Sequence, residues 1–290
     1  MASITAVEFG RDSCVLARTA ARDDSIEVSG LATVDPRAFP GAGSFAAALT
    51  DARRSNRLPR HARVVLWGVP EGSRPRDAMV QPLLQPFAAA GFRVDRVISP
   101  CNALAALARV RRTRGERATC WVAVNTAGVA IVVLRPGAQL YAHSFTWDST
   151  VGASGSQARL LQRYSLVAFL SPQVKRALAD ARAQGARLDA LVTCGNLPDL
   201  RSLTMPLIEE LDMEVETLDS LDGLIVAPAI LDRATELAPS IRLACAATVA
   251  RATRVPGMPD ATGVRGPGVL WLAAALVVLI LAAFGWYRWG

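Results

Sequence analysis

The stretch ITAVEFGRDSCVLARTAARDDSIEVSGLATV, residues 4 to 34, decides the fold. It contains three short runs rich in β-branched and apolar residues, separated by the turn formers at 10–12 and 23–24. Such runs joined by Gly and Asp turns predict an antiparallel meander. The three predicted strands are ITAVEF (4 to 9), CVLARTA (14 to 20) and SIEVSGLATV (25 to 34).

The same pattern returns about 115 residues later in the chain. Its predicted strands are TCWVAVN (119 to 125), VAIVVL (129 to 134) and QLYAHSF (139 to 145). After each meander, apolar periodicity alternates between helix-like and strand-like segments. The sequence therefore predicts an α/β protein with a duplicated architecture.

Two Ser-Pro pairs predict helix starts within these α/β segments. A serine hydroxyl can cap a helix, and proline is preset for the first helical turn. Ser99-Pro100 predicts the start of a helix in the first half, and Ser171-Pro172 predicts the start of a second helix that ends near Gln184.

Charge and cysteine usage exclude several functional classes. The formal net charge is +7, but the arginines are scattered and no aromatic residues are interleaved with them, so nucleic-acid binding is not expected. We expect this basic surface to lie near anionic lipid headgroups instead. Five isolated cysteines and only two histidines, His61 and His143, predict a reducing compartment without disulfides or a histidine-based metal centre.

The C-terminal sequence VLWLAAALVVLILAAFGWY (269 to 287) carries no charge and is long enough to cross a bilayer as a helix. We therefore predict a single transmembrane helix at 269–287, preceded by a flexible linker at 252–268 that is rich in Gly and Pro. Most flanking arginines precede this helix, which predicts a single-pass protein with its large N-terminal domain in the cytoplasm.

Four segments, in this order and at this spacing, resemble the actin-like ATPase superfamily. Within it, the chain is similar to the PilM family of type IV pilus assembly proteins, which is related in fold to FtsA. The resemblance implies a duplicated, ribonuclease-H-like two-lobed fold, with lobes at 1–117 and 118–251. It also implies a location at the bacterial inner membrane. The segments are AVEFGRDSCVLA (6 to 17), AGFRVDRVISPCNALAALARV (90 to 110), WVAVNTAGVAIVVLRPGAQLYAHSF (121 to 145) and ALVTCGNLPDLRSLTMPLIEELDMEVETL (190 to 218).

The resemblance also identifies candidate nucleotide-binding residues at three turns. Glu8 and Gly10 match the acidic residue and glycine of the first phosphate turn, but Arg11 and Asp12 replace small hydroxyl residues there. At the second turn, Ala123, Asn125 and Val129 stand where the family has the metal-facing aspartate, a glycine and a threonine. The candidate cofactor-binding set is Glu8, Gly10, Arg11, Asn125, Gly195 and Asn196.

These departures predict a degenerate site with no catalytic and no metal-ligating residue. ATP or ADP with Mg²⁺ is the alternative cofactor, because Glu8 is retained. The chain also leaves no room for the subdomain that the family inserts after the strand ending at Val69-Pro70.

The resulting functional prediction is a pseudo-ATPase scaffold for a type IV pilus or type II secretion-like complex at the inner membrane. The resemblance implies bitopic, PilN-like membrane subunits as partners, with membrane lipids as a further contact and self-association left open. The alternative is an active nucleotide-binding ATPase or kinase of the same superfamily at the membrane.

Overall fold

The computed structural model describes residues 3–22, 25–69, 72–111, 117–146, 156–197 and 200–250. The first half alternates strands and helices after an initial meander. Its elements are β1 (Ile4–Phe9), β2 (Cys14–Arg22), β3 (Ser25–Val34), α1 (Ala42–Ser55), β4 (His61–Leu66), α2 (Gln81–Ala89), β5 (Arg93–Ile98) and α3 (Pro100–Val110).

The second half repeats this order and ends in two short helices. Its elements are β6 (Ala118–Asn125), β7 (Gly128–Arg135), β8 (Ala138–Thr146), α4 (Ser156–Ala183), β9 (Leu188–Cys194), α5 (Thr204–Leu211), β10 (Glu214–Thr217), β11 (Leu224–Val226), α6 (Leu231–Glu236) and α7 (Ala238–Ala246).

The strands form two sheets that share a five-stranded arrangement, and β11 from the second half adds a sixth strand to the first sheet. The first sheet has the order β11-β3-β2-β1-β4-β5, and the second has the order β10-β9-β6-β7-β8. In each sheet the meander is antiparallel, and two later strands are added in parallel beside its first strand. The predicted meanders and the predicted duplication are therefore confirmed. We call the first sheet with its helices the first lobe and the second sheet with its helices the second lobe.

Each sheet packs its own helices on one face and a shared core on the other. In the first lobe, Phe45 of α1 and Phe87 of α2 lie against the sheet. In the second lobe, Leu166 and Leu170 of α4 do so. Helices α3 and α7 contribute to a core that contains residues of both sheets, such as Val65 of β4 and Trp121 of β6. Other buried residues of this core are Ala6, Ile98, Leu104, Leu107, Ala130, Val192 and Leu243. The two lobes therefore share one continuous apolar interior.

The last described segment returns to the first sheet. Strand β11 pairs with β3 in parallel, and the Thr248 hydroxyl lies 2.7 Å from that of Thr19 on β2. The Arg63 guanidinium donates to the carbonyls of Ala247 and Thr248. These contacts show that β11 and α7 lie on the first sheet. The division of the chain stays a prediction, with boundaries at 1–117, 118–251, 252–268 and 269–287.

The helix that begins at Ser99-Pro100 forms as predicted, whereas the one at Ser171-Pro172 does not. The Ser99 hydroxyl accepts a hydrogen bond from the backbone N–H of Asn102, which caps α3. Pro172 instead lies inside α4, which runs from Ser156 to Ala183, so the predicted helix start is wrong. Leu166, Leu170 and Val174 pack on the second sheet on both sides of the proline, and this burial outweighs the lost hydrogen bond.

The predicted fold class also needs a correction, because it included a transmembrane helix. Among the residues that the structure describes, none of the helices is long and apolar enough to cross a membrane. The longest, α4, carries charged side chains such as Lys175, Arg176 and Asp180, which are costly in hydrocarbon. The stretches at 252–268 and 269–287, on which the linker and anchor predictions fall, lie outside the described residues.

Candidate functional site

The predicted site residues come together where the first strands of the two lobes end. Glu8 lies near the end of β1, and Asn125 is the last residue of β6. Both side chains are buried, and the Asn125 amide Nδ2 donates to Glu8 Oε1 at 2.8 Å. The first residues of the two predicted phosphate turns are therefore joined directly across the lobes.

A third side chain completes this buried group. The indole Nε1 of Trp67, one residue beyond β4, donates to the same Glu8 Oε1 at 3.0 Å. Only 2% of Glu8 and 7% of Trp67 are exposed to solvent. The Glu8 carboxyl group thus links three segments of the chain in a site from which water is excluded.

Burial changes the acidity of this carboxyl group. Loss of hydration raises the pKa of Glu8 from 4.5 to about 7, and the hydrogen bonds from Trp67 and Asn125 oppose that rise without cancelling it. Glu8 therefore titrates near neutral pH, unlike a carboxylate that must stay ionised to hold a metal ion.

The second predicted phosphate turn is closed by its own side chain. Asn125 Oδ1 accepts from the backbone N–H of Ala127 at 3.0 Å and from the Thr126 hydroxyl at 3.3 Å. Phosphate-binding turns work by presenting backbone N–H groups to the anion. Here the Ala127 N–H already has an acceptor, and the first turn is also bonded internally, from Gly10 N to Ser13 O at 2.9 Å.

The two turns approach each other too closely to leave room for side chains. A Cβ atom on Gly10 would lie 3.1 Å from Asn125 Oδ1. A Cβ atom on Gly128 would lie 2.6 Å from the carbonyl oxygen of Phe145 and 3.3 Å from the Trp67 ring. The space between the turns is therefore filled by Asn125 and Trp67.

The third turn follows β9 and contributes a second polar contact between the lobes. Gly195 has a φ of +127°, and a Cβ atom there would lie 2.0 Å from the carbonyl oxygen of Val124. The next residue, Asn196, donates from Nδ2 to the Ser13 hydroxyl of the first turn at 2.9 Å. Its Oδ1 is buried without a hydrogen-bond partner in the described part of the chain.

Arg11 is placed differently from the other five predicted residues. It is exposed on the β1–β2 turn, and the adjacent Asp12 lies 3.8 Å from the Arg37 guanidinium. The structure thus brings Glu8, Gly10 and Asn125 into one cluster and Asn196 beside the same turn, with Gly195 shaping the backbone. The assignment of these six residues to cofactor binding stays a prediction.

A magnesium nucleotide does not fit these residues. Magnesium at a phosphate is held by one or two carboxylates together with water molecules. Glu8 is buried and accepts from two side chains, while Ala123 is wholly buried in the core that the lobes share. Within the described ranges, no three His, Cys, Asp or Glu side chains converge as metal ligands.

Sequence reasoning missed two side chains that the structure makes prominent. The sequence pattern of residues 62–69 indicates only a strand around Trp67 and gives no signal for its contact with Glu8. The pattern of residues 240–251 indicates only a helix around Arg242, although this residue is the single charge in the run IRLACAA.

Comparison with solved structures finds the same fold in proteins of very different sequence. The chain is similar to a structure described as a PilM-PilN type IV pilus biogenesis complex, with a TM-score of 0.65 and 13% identity over 85% of this chain and 97% of that one. It is also similar to the ethanolamine utilization protein EutJ from Carboxydothermus hydrogenoformans, with a TM-score of 0.56 and 13% identity over 85% and 90%. No family model and no curated protein matches the chain. The predicted two-lobed actin-like α/β fold is therefore confirmed.

Replacement of Glu8 by Gln tests the titration of the buried carboxyl group. The pKa of Glu8 is higher in the folded than in the unfolded state. The stability that results is fully present below pH 4.5 and is lost as the pH rises through about 7. The loss amounts to about 3 kcal/mol. Glu8→Gln keeps the acceptor oxygen but does not titrate, so denaturant unfolding should show a smaller fall in stability from pH 4.5 to 8 than in the wild type. Parallel pH profiles for the two proteins would contradict this assignment.

Gly195→Ala tests the close approach of the third turn to β6. The new Cβ would collide with the carbonyl oxygen of Val124, and the backbone would be strained as well. We expect a loss of at least about 2 kcal/mol of unfolding free energy in chemical denaturation. Gly185→Ala is the matched control, because Gly185 has a φ of +77° but nothing within 4 Å of an added Cβ. Equal costs for the two variants would show that steric contact at Gly195 is unimportant.

Proposed function

We propose that this protein is a catalytically degenerate actin-like scaffold for a type IV pilus or type II secretion-like complex at the bacterial inner membrane. The observation that carries the proposal is the buried contact between Glu8, Asn125 and Trp67. This contact fills the region where the resemblance places the phosphates and the metal ion. A scaffold needs the fold and its surface but not an open catalytic cleft.

The candidate site has too little charge for the catalysis of phosphoryl transfer. Phosphoryl transfer depends on a metal ion and on groups that stabilise the charge of the transferring phosphoryl group. In this chain, Ala123 occupies the predicted position of the metal-facing carboxylate, and Glu8 is half protonated near neutral pH. The backbone N–H of Ala127 already donates to Asn125 Oδ1, so it does not supply a hydrogen bond to an anion in place of the missing charges.

The contacts between the lobes favour a fixed binding surface. Enzymes of two lobes commonly close around their ligand by hinge motion. Here a continuous core joins the lobes, and Asn125 and Asn196 bridge them through hydrogen bonds. A protein that keeps its lobes in one arrangement suits the role of an assembly platform.

The proposed partner is a bitopic, PilN-like membrane subunit, which would hold the protein at the cytoplasmic side of the inner membrane. The fold likeness to a protein solved in a PilM-PilN complex supports this choice. The five cysteines are free and buried, which suits a reducing compartment such as the cytoplasm. Lipid contact and self-association stay predictions.

ATP turnover tests the degenerate site. We expect the full chain, incubated with ATP and Mg²⁺, to release no more phosphate than the Glu8→Gln variant does. The physical reason is the absence of a second carboxylate for the metal ion. Phosphate release that requires Mg²⁺ and disappears in Glu8→Gln would overturn the proposal and favour an active ATPase or kinase.

Partner binding tests the scaffold role separately. The probe is a labelled synthetic peptide with the cytoplasmic N-terminal sequence of a PilN-like subunit encoded in the same genome. We expect saturable binding to the full chain in fluorescence anisotropy, without nucleotide, because the lobes are already joined in one arrangement. A peptide of the same composition in scrambled order is the control. Equal binding of both peptides, or of neither, would contradict the proposed partner.

A further inference from the structure

Arg242 is a buried cation for which the described residues provide no hydrogen-bond partner. It lies in α7, where its exposed fraction is 0%. Its three nitrogens, Nε, Nη1 and Nη2, each lack a hydrogen-bond partner in the described part of the chain. The neighbouring residues of the helix, Ile241 and Leu243, are buried in the apolar cores on either side.

This arrangement is costly unless an anion joins it. Burial lowers the pKa of Arg242, but a guanidinium keeps its proton in proteins, so the positive charge remains. Placing an unpaired charge in a protein interior costs several kcal/mol, and buried arginines are therefore normally paired with carboxylates or phosphates. Five N–H groups in a planar fork form such a pair through two parallel hydrogen bonds.

The acidic groups near Arg242 are bonded elsewhere. Asp219 and Asp222 both affect its pKa, but Asp219 pairs with Arg201, and Asp222 accepts from the Ser220 hydroxyl at 2.7 Å. Arg111, at the end of α3, adds a second guanidinium to the same neighbourhood. Arg111 itself pairs with the Glu216 carboxylate.

The position of Arg242 connects it to the candidate site. Among charged or titratable neighbours, Cys194 affects its pKa most, and Cys194 is the last residue of β9, directly before Gly195 and Asn196. Arg242 lowers and Glu8 raises the pKa of the Cys245 thiol in α7. The residue after Arg242, Leu243, belongs to the same buried cluster as Cys194, so this part of α7 packs in the shared core near the end of β9.

We propose that Arg242 forms an oxyanion site that takes a phosphate group without a metal ion. Ala123 stands at the position where the resemblance implies the metal-facing carboxylate, and Arg242 supplies a fixed positive charge that does not need a metal ion. The ligand is free inorganic phosphate or the terminal phosphate of a nucleotide, which share this chemistry. The inference does not depend on the scaffold role, because a bound anion and an assembly surface can exist separately.

Entry of the anion requires a movement of the chain. The Arg242 guanidinium is fully buried. The partly exposed connection 219–223 carries Asp219 and Asp222, the two carboxylates that raise the pKa of Arg242. We expect this connection to shift when the anion binds, so that association is slower than for an open site.

The experiment measures phosphate binding to the full chain in EDTA, by calorimetry and by the shift in Tm. The matched variants are Arg242→Met and Arg135→Met, the latter removing an exposed arginine at the end of β7. We expect wild type and Arg135→Met to bind phosphate equally and Arg242→Met to bind at least about tenfold more weakly, the effect of one lost charged hydrogen bond. Arg242→Met should still fold, because replacing a buried ion by an apolar side chain is often neutral or stabilising.

Further arms separate the alternatives. A binding measurement with ADP in EDTA distinguishes the two possible ligands. If ADP binds more tightly than phosphate, and Arg242→Met abolishes this binding, the ligand is a nucleotide. If phosphate binds and ADP does not, the ligand is the free ion. Asp222→Asn should strengthen phosphate binding by removing a nearby negative charge. The proposal is overturned if wild type binds neither ligand in EDTA, if Arg242→Met binds as wild type does, or if Asp222→Asn loses stability without a gain in phosphate affinity. That last result would identify Asp222 as the partner of Arg242.

Discussion

The rest of this structure depends on one buried carboxyl group. Glu8 accepts hydrogen bonds from Trp67 and Asn125, and these three residues come from β1, from the segment after β4 and from β6. Burying a carboxyl group is costly unless it is hydrogen-bonded or neutral, and here both conditions help, since its pKa is raised to about 7. The positions of both lobes at the cleft follow from satisfying this single group.

The apolar interior reinforces the same arrangement. Helix α3 lies against strands of both sheets, α7 lies against α3 and the first sheet, and small residues such as Ala105 and Ala246 allow close packing. A core that contains residues of both lobes resists their separation, because opening would expose apolar surface at a cost of roughly 25 cal/mol per Å². The shared core and the buried contact of Glu8 with Asn125 and Trp67 therefore hold the two lobes in one arrangement.

The second turn and the core of this protein differ in charge. Ala123 is apolar at the position where the resemblance implies a carboxylate, and the charged Arg242 is fully buried in α7. A metal-bound nucleotide site gathers negative side chains around a cation, whereas a buried guanidinium gathers anions. The ligand that we propose for Arg242 is accordingly an anion and not a metal ion.

The sequence by itself determined the elements that depend on local chemistry. Alternating β-branched runs and Gly turns identified both meanders and the duplication, and Ser99 identified the start of α3, because strand pairing and capping act over a few residues. The resemblance placed Glu8 and Asn125 at two of the three turns but did not indicate the hydrogen bond that joins them, and their assignment to cofactor binding stays a prediction. The prediction of a helix start at Pro172 failed because packing on the second sheet, not the local sequence, sets the bounds of α4. Only the tertiary structure decided that burial raises the pKa of Glu8 to about 7, that Trp67 fills the space beside it and that Arg242 has no hydrogen-bond partner among the described residues. Burial and hydrogen bonding between residues more than a hundred positions apart arise from the arrangement of the lobes, which no local pattern records.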